Sequence, residues 1–418
     1  MTPSRLLLFA GRLERSLWFR PAVFAALAVA APALAPLFQP YVPEAAAERV
    51  SIEDVDRVLG ILTSGMLSVA IFSLGTMVSA LQAAASAATP RARALISEDR
   101  TAQNAISTFI GAFIFSVFGV VGLVLGLFDA AARVAMFGLT LLLIFAVIVA
   151  LVAWIRRLTQ MGGVHEAVVL VEAATARAFA KVAAAPWFRG RESDGPPEDA
   201  TAVPAERFGW VQAIDAASLG AIADELDCDL HVAVRPGAAV DPLRPLAHVA
   251  GAVDAACAAR IRRAFVIDGS RTFEQDPRFG LIVLSEIASR ALSPAVNDPG
   301  TAIDVIAAQV RLLAGWSAML KGLEPPGDRP RLFAPPLPVQ DAFEDAFRAI
   351  ARDGAGVVEV GIKLQKGLGA LAALDPERYG AAARAAAADA AARARAAMGH
   401  GPDRAALDRA RRDVGLDG

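Results

Sequence analysis

The stretch VLGILTSGMLSVAIFSLGTMVSALQAAASAATP, residues 58–90, contains no charged side chain. A helix needs about 20 apolar residues to cross the hydrocarbon core of a bilayer, and this run exceeds that length. Three more uncharged runs lie on either side of it, at Pro21–Pro43, Thr101–Phe128 and Val134–Ile155, and each is also long enough. Lipid supplies no partner for backbone N–H and C=O groups, so a spanning run must satisfy them internally as a helix. From about Arg156 onward charges return and the chain reads as water-soluble. The pattern predicts an α-helical integral membrane protein with four transmembrane helices, followed by a cytoplasmic α+β domain containing a small β module. The first partner implied is the lipid bilayer.

Composition agrees, because 55% of the residues are apolar and they are segregated toward the front of the chain. A formal net charge of −2 gives no reason to expect nucleic acid. Two cysteines, Cys228 and Cys257, do not make a disulfide framework. His165, His231, His248 and His400 lack metal-ligand spacing, so no metal or cofactor is expected. The first apolar run follows a basic segment and contains the small triplet Ala33–Ala35, as a signal peptide would. Pro36 after that point and the length of the basic segment favour a retained span.

Arginines set the expected topology. Arg5, Arg12, Arg15 and Arg20 precede the first run, Arg91, Arg93 and Arg100 separate the second from the third, and Arg156 and Arg157 follow the fourth. The positive-inside rule places these segments, and both termini, on the cytoplasmic side. The expected organisation is a basic N-terminus over 1–20, a transmembrane domain over 21–158 and a cytoplasmic helix over 159–188. A linker over 189–205, the β module over 206–270 and a helical segment over 271–322 follow. A Pro-rich linker over 323–340 leads to a helical region over 341–418, frayed in its last dozen residues.

The second run differs from the others. At about 100° per residue, Ser64, Ser68, Gly75, Ser79, Gln82 and Ser86 fall within a stripe about 60° wide. One reading is a packing seam, where small residues let helices approach. The other is the lining of a passage, where small polar groups leave room for water and partly replace an ion's hydration shell. Four helices do not enclose a pore alone, so the second reading needs a homo-oligomer. The preceding loop carries Glu44, Glu48, Glu53, Asp54 and Asp56 against Arg49 and Arg57. It is either a solvated charge run or an outer mouth that concentrates cations. No run contains an ionisable residue, which argues against proton-coupled pumping.

In the soluble part, Gly209–Ile214, Leu230–Arg235, Pro245–Ala250 and Ala264–Ile267 read as short strands, with a helix at about Ala217–Leu226. The Pro236-Gly237 turn resembles those of small barrel-like carrier modules, but no lysine occupies it, so no carrier role is read. Beyond lies the densest group of hydrogen-bonding side chains: Arg271, Asp276, Glu286, Arg290, Asn297 and Asp298. Asp298 reads as a helix N-cap with Pro299 as the first helical residue. The group is a buried polar network, a lock between protomers or a small ligand site. It lacks a nucleophile–base pair or a phosphate-binding loop, so an enzyme is not expected.

Several of these motifs are familiar together. Ser79-Ala80-Leu81-Gln82, Thr89-Pro90-Arg91, Asp99-Arg100, Gln103, Phe109, Phe113 and above all Ala291-Leu292-Ser293-Pro294-Ala295-Val296-Asn297-Asp298-Pro299-Gly300-Thr301-Ala302 resemble a family of bacterial membrane proteins, domain of unknown function 2254. The resemblance covers roughly residues 10–375. It implies a bacterial inner-membrane protein with about four spans and a C-terminal soluble domain, and it implies no activity. The expected function is therefore a homo-oligomeric, passive path for ions, cations favoured, or small solutes, with the soluble domain as platform or gate. The alternative is a non-conducting scaffold or sensor whose soluble domain binds a ligand or partner.

Overall fold

The computed structural model describes residues 50–87, 89–92, 100–158, 163–321 and 327–416, together with residue 95 and scattered helical positions between 22 and 30. The chain divides into a first unit, Leu7–Glu166, and a second containing Ala167–Gly418. Most of the expected first span, Pro21–Pro43, lies outside the described residues.

In the first unit α1 (Ile52–Ala87), α2 (Arg100–Val124) and α3 (Ala130–Leu158) pack on one another. Helix α1 begins before the uncharged run does. The Ser51 hydroxyl accepts from the Asp54 amide at 3.1 Å, and the Asp54 carboxylate accepts from the Ser51 amide at 3.3 Å. This reciprocal cap starts the helix, so Glu53 and Asp54 sit on its first turn and Asp56 just beyond it rather than in a loop, correcting the sequence expectation. Acids there complement the partial positive charge of the helix N-terminus. Helix α2 ends at a turn where Gly126 takes φ +66°, and the Asp129 carboxylate accepts from the Ala132 amide at 2.8 Å to start α3.

Val55, Leu59, Phe115 and Met136 form the interior of this unit. Gly119 is needed there, because a Cβ would come within 2.6 Å of Met136 Cε and 2.9 Å of Leu59 Cδ1. Helices in lipid gain little from removing apolar surface from water, so close van der Waals packing of this kind holds them. Interior hydroxyls satisfy themselves on their own helix: Ser116 donates to Phe113 O at 2.8 Å and Thr140 to Met136 O at 2.7 Å.

The second unit opens with α4 (Val164–Ala184) and a β module. Its strands are β1 (Arg191–Glu192), β2 (Ala200–Pro204), β3 (Gly209–Ile214), β4 (Leu230–Val232), β5 (Ala239–Val240), β6 (Pro245–Ala250), β7 (Phe265–Asp268) and β8 (Leu332–Ala334). One sheet has the order β1-β8-β4-β6-β2 and the other β5-β3-β7. Helices α5 (Ala216–Glu225) and α6 (Ala255–Arg263) complete the module around a core including Leu219, Leu230, Val249, Phe265 and Leu332. Two expected linkers are thus wrong in substance: 189–205 supplies β1 and β2, and 323–340 supplies β8. Strand β8 inserts in parallel between β1 and β4. Two- and three-residue strands carry no readable alternation, and their partners are remote in sequence.

A helical layer follows: α7 (Pro277–Ala291), α8 (Pro299–Leu320), α9 (Val339–Asp353), α10 (Val358–Leu374), α11 (Pro376–Ala397) and α12 (Gly401–Asp413). The expected frayed end is a helix from Gly401 to Asp413. Among the described residues four helices are long and apolar enough to cross a membrane: α1, α2, α3 and α8. Helix α8 has a different explanation. It packs on α7 and α10, buries Gln309 against Leu281 O at 2.9 Å, and pairs Arg311 with Glu172 at 2.7 Å. Those are the marks of a core helix.

Candidate functional site

On α1 the sequence placed a polar stripe, and the structure shows which way it faces. Ser64, Ser68, Gly75, Ser79 and Gln82 are all exposed. Ser86 falls within the helix, but its side chain lies outside the described residues. The buried residues of α1 are Val55, Leu59, Leu62, Ala70, Ser73 and Met77, on the opposite side of the helical wheel. The stripe is therefore not the surface on which α1 meets α2 and α3. Close approach is provided by α2 instead, which buries Ala102, Ala105 and Ala112. The Ser64 hydroxyl donates to Ile61 O at 3.1 Å, so its proton is satisfied while its oxygen still accepts. Glu53, Asp54 and Asp56 are exposed at the N-terminal end of the same helix, and Glu44 and Glu48 lie outside the described residues.

The six polar residues of the second unit do not form one cluster. Arg271 and Asp276 do meet. Arg271 Nε donates to Asp276 Oδ2 at 2.8 Å and its Nη2 to Oδ1 at 3.0 Å. Asp276 Oδ1 also accepts the Phe279 amide at 3.1 Å and so caps α7. The guanidinium lies over the Trp210 and Phe279 rings, 5.6 and 5.3 Å from their centroids. Gly237, at φ +92°, touches the same carboxylate so closely that a Cβ would overlap it. The neighbouring Arg235 donates to Pro335 O and stands 5.2 Å over the Phe188 ring. Burial holds its pKa down, to about 10, although the charge of Asp276 opposes the shift. The turn read from Pro236-Gly237 is thus the part of the β module that docks on the α7 cap, a role its sequence did not announce.

Asn297 and Asp298 lie beyond the other end of α7, some 15 residues away at about 1.5 Å each. Both are exposed. Asn297 takes φ +50°, a conformation asparagine tolerates better than most residues, and its amide donates to Ser293 O at 2.8 Å. Asp298 Oδ1 accepts the Thr301 amide at 3.1 Å and Oδ2 the Thr301 hydroxyl at 2.6 Å. The most distinctive sequence motif is a helix stop followed by a helix start. Arg290 is exposed at the end of α7.

Glu286 faces a cleft that sequence reasoning did not find. The cleft, about 410 Å³, runs between α7 and α9 and is lined by Ser285, Glu286, Glu344, Asp345, Arg348 and Arg352 among others. Arg278 bridges the same two helices, donating to Asp341 and Asp345 at 2.6 Å each. Burial raises the Asp345 carboxyl above its ordinary value, with Arg278 pulling the other way. In the sequence, Glu344 and Arg348 stand four apart on α9, an opposite-charge spacing that marks an exposed helix face and not a cleft.

A family model described as Predicted membrane protein (DUF2254) matches residues 14–370. The chain belongs to this family. Among curated proteins it is similar to an uncharacterized protein of Mycobacterium bovis and to one from each of two Mycobacterium tuberculosis strains. Each is 55% identical over 47 residues, which are 11% of this chain and 9% of the relative. The matched stretch thus spans about a tenth of those relatives' length. No solved structure matches the chain. Membership in the family agrees with the apolar helices of the first unit and leaves the activity to the residues.

Proposed function

We propose that this family member assembles as a homo-oligomer in the bacterial inner membrane, with the exposed stripe of α1 facing a passive, non-catalytic passage for cations or small solutes. One observation carries the reading: the small polar residues lie opposite the face that α1 uses against α2 and α3. Lipid gives no reason for Gln82 and three serines to share one exposed face, whereas water in an axial passage does. The arginine distribution puts both termini, and the second unit as platform or gate, in the cytoplasm. Glu53, Asp54 and Asp56 then stand at the outer end of α1, where they favour cations. The test is ion flux through the purified full chain in liposomes. Ser79→Leu and Gln82→Leu should abolish flux without changing assembly. Unchanged flux in both variants would remove the passage.

The cleft beside α9 supports a second reading, a non-conducting sensor that binds a ligand in its soluble unit. Hydrophilic thiol reagents separate the two. A cysteine introduced as Ser68→Cys is modified from water in a passage and protected in a sealed scaffold.

A further inference from the structure

Two stretches of the β module cross between its sheets side by side. Residues 205–208 leave β2, where Pro204 pairs with Pro245, and enter β3, where Gly209 pairs with Val240. Residues 241–244 make the return crossing, and the Ala205 amide donates to Arg244 O at 3.3 Å. Each crossing presents one large apolar side chain to solvent. Phe208 is 80% exposed and Leu243 is 93% exposed. Among the described residues of the second unit, the next most exposed large apolar side chain is Val296, at 52%. Single exposed apolar residues are common on protein surfaces. That the two most exposed among the described residues of this unit lie on neighbouring crossings is a feature of that corner.

Arginines rim the corner. Arg207 donates to Ile267 O, Arg262 donates to Pro204 O at 3.0 Å, and Arg244 pairs with Asp241 at 3.3 Å. Glu206, Asp241 and Asp268 are the nearby acids. Charge is thus nearly balanced, while the apolar pair stands clear of it.

We infer that this corner docks on a lipid surface, with Phe208 and Leu243 entering the headgroup boundary and the arginines meeting lipid phosphates. The inference rests on the reading that the first unit holds the chain in a bilayer. Area decides between lipid and a second copy of the chain. A Phe and a Leu together offer about 300 Å², well under the about 800 Å² per partner of a stable protein interface. A tethered chain needs far less, because the tether keeps the bilayer at high effective concentration. Aromatic and leucine side chains beside arginines also suit the interfacial zone. Balanced charge implies that docking persists on neutral lipid.

The experiment places an environment-sensitive fluorophore on single cysteines in the full chain carrying Cys228→Ser and Cys257→Ala. The sites are Phe208→Cys, Leu243→Cys, Phe145→Cys on the exposed side of α3, and Ala252→Cys. Ala252 lies past the far end of β6 from Leu243, and the six residues of that strand alone span about 20 Å. The protein is reconstituted in phosphatidylcholine, with and without phosphatidylglycerol, containing lipids spin-labelled on the acyl chain. Expected is loss of emission at 208, 243 and 145, none at 252, and little change with phosphatidylglycerol. Quenching at 145 without quenching at 208 and 243 overturns the docking and leaves the membrane reading standing. Absence at 145 as well overturns both. Quenching at 252 equal to that at 208 removes the specific corner. Unquenched labels at 208 and 243, together with cross-linking between protomers through the same cysteines left unlabelled, assign the corner to a second copy instead.

Discussion

Helices α7 and α8 begin with the same dipeptide, Asp276-Pro277 and Asp298-Pro299, and the two starts differ in everything beyond the first turn. In each, the aspartate accepts the amide three residues ahead at 3.1 Å. In each, the proline occupies a position whose missing N–H costs nothing. Asp276 is 2% exposed, holds Arg271 in a two-point pair and is touched by Gly237 from the β module. Asp298 is exposed, and its carboxylate takes its partners from its own first turn, the Thr301 amide and hydroxyl, while its backbone amide donates to Ala291 O at 2.8 Å. A local motif decides where a helix begins, and tertiary packing decides what the cap is worth.

The largest effect is therefore expected at Asp276. Replacing it with alanine removes a cap and leaves the largely buried Arg271 guanidinium unpaired, a loss of about 3 kcal/mol or more. Urea-dependent proteolysis of the detergent-solubilised full chain reads it as a shift of the second unit to lower urea. Asp276→Asn keeps an acceptor for the Phe279 amide and should fall between. If Asp276→Ala costs no more than a surface cap does, Arg271 is not held by this pair and the contrast between the two starts disappears.

Gly237→Ala comes next. The residue sits at φ +92°, where an L side chain is strained, and its Cβ would overlap the Asp276 carboxylate. Overpacking of this kind costs about 1–3 kcal/mol. Because both changes act on one contact, the double variant Gly237→Ala, Asp276→Ala should lose less than the sum of the two. Additivity in the same proteolysis assay would mean that the turn and the cap are independent.

These two sites also show what the sequence could and could not reveal. The apolar runs were legible because spanning length is a one-dimensional property, and α1, α2 and α3 appear where the runs lie. Asp298 as N-cap and Pro299 as first helical residue were legible for the same reason: capping acts over three residues. Strands β1 and β8 were not, because each is two or three residues long and gains its identity from a partner more than 130 positions away, as Arg191 does from Phe333. Arg271, Asp276, Glu286, Arg290, Asn297 and Asp298 were grouped by closeness in sequence, but α7 stands between Asp276 and Asn297 and separates them. The stripe on α1 was readable as a stripe. Its direction was not, since a helical wheel gives the angle between faces and not which of them meets a neighbour.

The smallest effect belongs to Asp298, and its pH dependence is what distinguishes it. Alanine there should cost about 1 kcal/mol, the usual loss for an exposed cap. The hydrogen bond from the Thr301 hydroxyl, then that from the Thr301 amide, holds the Asp298 carboxyl below its ordinary value. A depressed folded pKa means that the folded state favours the ionised group. The stabilisation is then complete above the unfolded value of about 3.9 and is lost as pH falls through the folded pKa. Asp298→Ala should consequently differ from the parent at neutral pH and converge with it in acid. Serine at this position also caps but carries no charge, so Asp298→Ser should retain most of the stability and lose the acid dependence. A parent and an alanine variant that stay equally far apart down to low pH would show that the ionised carboxylate is not what starts α8, and that Pro299 and the left-handed Asn297 suffice to define the turn.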